Sequence, residues 1–296
     1  FTQVSDSPPH SLFFIMILRP PRSTLFPYTT LFRSTVIGNI SDIETFACST
    51  IWQLCVAHQS NKSIVGGRIL EYVKSIVERR INAASSSSTL YYALMAIWSM
   101  CYGVVENQRR AHSLGVHRLL CDVIVGYDDD KKHIKYAATG ALWHCTSLLD
   151  TRSDVCASVG VVEKLVGFAR QSHSDDSDTD GSEHSLLACL AMANLSHEIE
   201  NELRLRESGA FEAIHSFVES RDASTYPNRS LVWTTLSPVR VLVASRVCAV
   251  RELGTFVTAL LSRKKDEAAK LFTNGIVDVI QSNLTSTQGR ENVSPL

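Results

Sequence analysis

The chain has 296 residues, 45% of them hydrophobic and 20% charged, with a formal net charge of −1. That composition is globular and long enough to bury a core or stack several repeats, and its charge balance supplies no overall field for nucleic acid or an anionic membrane. Eight cysteines (Cys48, Cys55, Cys101, Cys121, Cys145, Cys156, Cys189 and Cys248) include no C-x-x-C pair and mostly sit in apolar, helix-like runs. They are expected to be reduced core thiols of a cytosolic or nuclear protein, with no disulfide framework.

In chain order, residues 16–34, "MILRPPRSTLFPYTTLFRS", come first because they are unlike everything after them. The preceding "SLFFIMIL" lacks a basic flank and a small-residue cleavage site, so it does not read as a signal peptide. It is also too short for a membrane span, and no apolar run after residue 35 approaches the roughly 18–20 residues a span needs. One choice of codons for residues 16–34 reproduces the universal adapter oligonucleotide of short-read sequencing libraries in 18 of 19 positions, Leu18 being the departure. Residues 1–34 are therefore read as a disordered, non-native extension, with the natural sequence beginning near Thr35.

From there the chain repeats itself. "ACSTIWQLC", "ALMAIWSMC", "AATGALWHC" and "ACLAMANLS" start at Ala47, Ala93, Ala138 and Ala188, spaced 46, 45 and 50 residues apart. Within each, a small residue, then Thr50, Ala96, Ala141 or Ala191, then Ile51, Ile97, Leu142 or Met192, then Leu54, Met100, Cys145 or Leu195 fall at i, i+3, i+4 and i+7. That spacing predicts one buried face of a helix that packs closely on its neighbours. A second unit follows each helix, around Gly115, Gly160, Gly209 and, more weakly, Gly254. Apolar residues stand at −4 from the glycine (Ala111, Cys156, Leu205, Val250) and, in the first three copies, at +1, +5 and +8. The pattern predicts helix, glycine turn, helix. Gly66 in "SIVGGRILEYV" is a poorer copy, and Gly275 is a further candidate turn.

A short helix, a glycine turn, a second helix and a long Ala-rich third helix, at a period of about 45, resemble the armadillo repeat. "LRESGAFEAI" and "ACLAMANL" carry the resemblance, which covers roughly residues 43–285. HEAT repeats are the near alternative. The resemblance implies an all-α, right-handed armadillo-type α-solenoid of about five imperfect three-helix repeats over 35–285, followed by a disordered tail at 286–296. Ser-rich 81–89, polar 171–184 and 220–230 are expected as loops or interruptions, and "YDDDKKH" (127–133) as an exposed inter-helix loop.

In such a solenoid the third helices line a concave groove. On a helical wheel the slot of Trp52, Trp98, Trp143 and, in a further copy, Trp233 points nearly opposite the core face. Those rings are expected either in the seam between repeats or along the groove as partner anchors. The next slot holds Gln53, Ser99, His144 and Asn194, all able to hydrogen-bond. The resemblance implies that an Asn here contacts the backbone of a bound extended peptide, and only Asn194 matches. The tryptophans fall three positions after the tryptophan slot of importin-alpha-type carriers, which argues against an import adaptor.

"DSDTDG" supplies Asp176, Asp178, Asp180 and Gly181, the first half of a calcium loop, but Leu187 stands where its bidentate Glu belongs. No metal or other cofactor is expected. P-loop, dinucleotide, G-x-S-x-G, H-E-x-x-H and zinc spacings are all missing. The expected function is a non-enzymatic scaffold that binds extended segments of other proteins, without nucleic acid or a membrane span. The alternatives are a regulatory fragment of a larger enzyme, such as an armadillo-containing ubiquitin ligase, or a nuclear import adaptor.

Overall fold

The computed structural model describes residues 40–81, 87–127, 131–170, 179–220, 242, 244–245, 247–262 and 276–282. The expectations for residues 1–34, for Trp233, for Gly275 and for the tail at 286–296 lie outside them. Every regular element among the described residues is a helix. In chain order these are α1 (Ile40–Ala57), α2 (Gln59–Ile81), α3 (Ser87–Cys101), α4 (Val105–Ser113), α5 (Val116–Gly126), α6 (Lys132–Cys145) and α7 (Leu149–Ala157). Then come α8 (Val161–Arg170), α9 (Thr179–Leu195), α10 (Ile199–Glu207), α11 (Ala210–Glu219), α12 (Cys248–Ser262) and α13 (276–282).

The repeat unit is the expected one. Helices α4–α6 and α7–α9 are complete three-helix units, and α10–α11 begin another. Gly115, Gly160 and Gly209 have φ of 71°, 81° and 76°, the left-handed backbone that glycine adopts without strain. The apolar positions around those turns are all buried: Ala111, Val116, Leu120 and Val123, then Cys156, Val161, Leu165 and Phe168, then Leu205, Ala210, Ile214 and Phe217. Adjacent repeats stack third helix to third helix, α3 against α6 and α6 against α9.

Two expected turns are continuous helix instead. α2 runs straight through Gly66, and α12 through Gly254. Gly66 serves a neighbour: a Cβ there would collide with the Asn107 side chain, which bonds the carbonyls of Lys62 and Met100 at 2.8 and 2.7 Å. Around Gly254, Val250, Leu253 and Val257 make one uninterrupted buried face, and exposed Thr255 stands where the other copies bury Val116, Val161 or Ala210. Without an apolar residue at +1, nothing rewards breaking the helix. Helices also begin earlier than expected, since Ser87–Thr89 open α3, Lys132–His133 open α6, and residues 179–184 belong to α9.

The third helices are more deeply enclosed than one amphipathic face requires. From Ile134 to Cys145 every residue of α6 is buried except Tyr136. α1 is the exception: Ala47, Thr50 and Leu54, assigned by pattern to the core, are exposed, and Ile51 is half-buried. Glu44 still ties α1 to the end of α2 through Arg79 and Arg80 at 2.8 and 2.6 Å.

Close approach of α3 and α6 depends on Gly140, whose missing Cβ would lie 2.5 Å from the Trp98 ring. Gly140→Ala improves helix propensity by about 1 kcal/mol, yet overpacking at such a contact costs about 1–3 kcal/mol. The net expectation is destabilisation, read as a lowered urea midpoint at unchanged m-value.

Candidate functional site

The seven residues singled out from sequence fall into two groups. Gln53 is exposed and Trp52 half-buried, both on α1. Trp98, Ser99, Trp143, His144 and Asn194 are all buried. Trp98 is 0% exposed, with its ring against Gly140 and 5.5 Å from Tyr136 across the α3–α6 seam. Trp143 lies 4.3 Å from the His144 ring. Anchoring a partner through either ring would require opening the seam, so Trp98 and Trp143 are packing residues.

The polar slot is also occupied internally. Ser99 Oγ donates to the Ala96 carbonyl at 3.0 Å. Asn194 Nδ2 donates to the Trp143 carbonyl and to Thr146 Oγ1, at 2.9 and 3.3 Å, so its amide hydrogens tie α9 to α6. His144 sits 5.1 Å from Tyr102; burial, reinforced by the Lys62 charge, pushes it down to about 3, and it is neutral at physiological pH. Lys62, itself 4% exposed, lies 3.9 Å from the Tyr102 ring centre, and burial lowers it to about 8.

A second polar row was not anticipated. Asn61, Asn107 and Asn201, each early in a first-helix segment, donate to Leu54, Met100 and Leu195 at 3.0, 2.7 and 3.1 Å. Those carbonyls end the preceding third helices and lack intrahelical partners. Gln108 and Arg152 do the same for Cys101 and Thr146, at 2.9 and 3.0 Å. The signal was available: an Asn six or seven residues beyond the Leu or Met of the third helix.

The described residues also assemble Thr151, His112, His117 and Asp154. Thr151 Oγ1 meets His112 Nδ1 at 3.2 Å, the two imidazoles stack at 4.9 Å, and His117 Nε2 meets Asp154 at 3.1 Å. The Thr151 hydroxyl is 0% exposed, so no substrate reaches it, and the cluster joins α4 and α5 to α7. Seven of the eight cysteines are buried and all are free thiols, Cys248 alone being exposed. Among the described residues no group of three or more His, Cys, Asp or Glu could hold a metal, and no helix is long and apolar enough to cross a membrane. Asp176 and Asp178 of the half calcium loop fall outside them, and Asp180 and Gly181 lie within α9.

What the surface offers instead is a periodic rim where each third helix hands over to the next first helix. The first residues of α4, α7 and α10 are Val105, Leu149 and Ile199, exposed by 50%, 62% and 69%. Each is followed by an acid, Glu106, Asp150 or Glu200. The residues before them, Val104, Leu148 and Glu198, are extended and make no side-chain cap.

No protein-family model and no curated protein matches the sequence. Solved structures do. An engineered protein aligns at a TM-score of 0.52 and 18% identity, over 88% of this chain and 63% of its own. Another aligns at 0.51 and 16%, over 80% and 98%. A designed armadillo repeat protein in complex with the peptide (KR)4 aligns at 0.49 and 16%, over 79% and 91%. The helix, glycine turn, helix and long third helix that recur in α4–α6 and α7–α9, stacked third helix on third helix, make the fold an armadillo-type α-solenoid.

Proposed function

We propose that the chain is a non-enzymatic protein-interaction scaffold whose partner segment runs across successive repeats. The observation that supports this is the rim: one exposed apolar side chain per repeat, at the same structural position, in three consecutive repeats. Single exposed leucines are ordinary on any surface, but a row with the period of the fold suits a partner that also repeats. Contact is assigned to this rim, with exposed Gln53 and half-buried Trp52 as the groove-side residues still accessible. A cytosolic or nuclear setting fits the free thiols.

The test is selection of random dodecapeptides on the full chain, with Leu149→Ser/Ile199→Ser as counter-target. Both positions are exposed, so the double variant should melt like the parent. Enriched peptides are expected to bind the variant at least tenfold more weakly. An empty selection, or peptides that bind both proteins equally, rejects the reading.

A further inference from the structure

We infer that two copies of this chain pair through α1, antiparallel and centred on Thr50. That face is separate from the rim and independent of the scaffold reading. α1 carries its exposed residues in one stripe, Ile43, Phe46, Ala47, Thr50, Gln53 and Leu54. Ile43, Phe46 and Leu54 are open by 44%, 68% and 45%. The solvent side of a surface helix is ordinarily polar and charged. Here residues 45–57 hold no charged side chain at all, and Glu44 beside the stripe is already taken by Arg79 and Arg80.

The other copies of the repeat show what such a stripe is built to meet. The slots of Ile43, Ala47, Thr50 and Leu54 are filled in α3 by Thr89, Ala93, Ala96 and Met100, and in α6 by Ile134, Ala138, Ala141 and Cys145, every one of them buried among neighbouring helices. On α1 the same slots face solvent, while its α3 side is already occupied by Trp52, 5.9 Å from Tyr92. A helix that covers the stripe must itself present small and apolar groups without charge. α1 of a second copy does.

Spacing and charge select the register. Ile43, Ala47, Thr50 and Leu54 follow one another by four, three and four residues, the seam spacing of paired helices. With Thr50 opposite its own copy in an antiparallel pair, Phe46 packs on Leu54 of the second copy and Asp42 stands opposite its His58. A parallel pair would set Asp42 against Asp42 and align the two helix dipoles, both unfavourable. Ala47 and Thr50 are small enough to let the backbones approach. Thr50 Oγ1 donates to the Phe46 carbonyl of its own helix at 2.8 Å, so covering it strands no hydroxyl hydrogen. Because the face meets itself, the assembly closes at two copies.

Sedimentation equilibrium on the full chain is expected to show a monomer and a dimer in exchange, and nothing larger. Phe46→Glu and Leu54→Lys, both at exposed positions, should each weaken self-association at least tenfold while leaving the helical circular-dichroism spectrum unchanged. Mixed one to one, the two variants should pair at least tenfold more tightly than either does alone, because the new acid of one stands opposite the new amine of the other. A chain that is monomeric at every concentration overturns the inference, as does a dimer that neither substitution weakens. Growth beyond two copies overturns it as well, since that requires a head-to-tail contact with a different second face. If the mixed variants stay apart, the antiparallel pairing about Thr50 is wrong. None of these outcomes bears on peptide selection at the rim.

Discussion

Trp98→Ala is expected to cost about 3–5 kcal/mol of folding stability, the range for truncating a fully buried large aromatic. The ring is enclosed between α3 and α6, and its removal leaves a hollow beside Gly140, where there is no side chain to collapse into it. In a solenoid each repeat is held mainly by its neighbours, so the loss should be felt at one seam. Denaturation is then expected to lose its single transition, with α1–α3 separating from α6 onward at lower urea. A double-mutant cycle sharpens the point. Gly140→Ala is destabilising beside Trp98, but in the Trp98→Ala background its Cβ enters vacated space and adds helix propensity, so its effect should reverse sign. A stable Trp98→Ala protein that had lost peptide binding would instead make the ring a partner anchor.

The turns at Gly115, Gly160 and Gly209 were readable because two independent signals coincide there: a glycine and apolar residues at both −4 and +1. Gly66 and Gly254 carried only the first signal. Glycine permits a left-handed residue and equally permits a close neighbour, so its presence alone does not distinguish a turn from the space Asn107 occupies. The tryptophan row was limited differently. A helical wheel gives the direction of a side chain relative to its own helix, and Trp98 does point away from the small-residue face. Whether that direction leads to solvent depends on the next third helix, and Gly140, 42 residues later, decides it. Asn194 was singled out as a residue able to bond a partner's backbone, and its amide hydrogens run instead to Trp143 and Thr146. The rim was hidden for the opposite reason: Val105, Leu149 and Ile199 open short helices, where an apolar residue looks like core until its exposure is known.

Stability is expected to fall steeply as pH drops from 7 to 5, driven by His144 and His184. Burial holds both imidazoles down to about 3, with the charges of Lys62 and Lys135 acting in the same direction. Thr139 gives its hydroxyl hydrogen to the Lys135 carbonyl at 2.8 Å, so Nε2–H of His184 donates to Thr139 Oγ1 at 3.1 Å. His144 Nε2 is buried without a partner, and a proton added there would be buried unpaired. The sign follows from linkage. Between the unfolded value near 6.5 and the folded value of about 3, the unfolded chain binds more protons, so acid favours unfolding. At about 1.4 kcal/mol per pH unit, each histidine should remove on the order of 2 kcal/mol by pH 5. His117, which burial also lowers against its bond to Asp154, adds in the same direction, while surface His215, raised by its hydrogen bond to Glu252, opposes it. The carboxylates act at lower pH. Burial pushes Glu44 up, but Arg80 and Arg79 outweigh it, and His117 and Arg118 lower Asp154, so their contributions are lost only as pH falls below about 4. Urea midpoints at pH 7.5, 6 and 5 should therefore decline in the parent and flatten in His144→Gln/His184→Gln. A parent that is equally stable at pH 7 and 5, or a slope that survives the double substitution, would remove these two residues as the origin of the acid sensitivity.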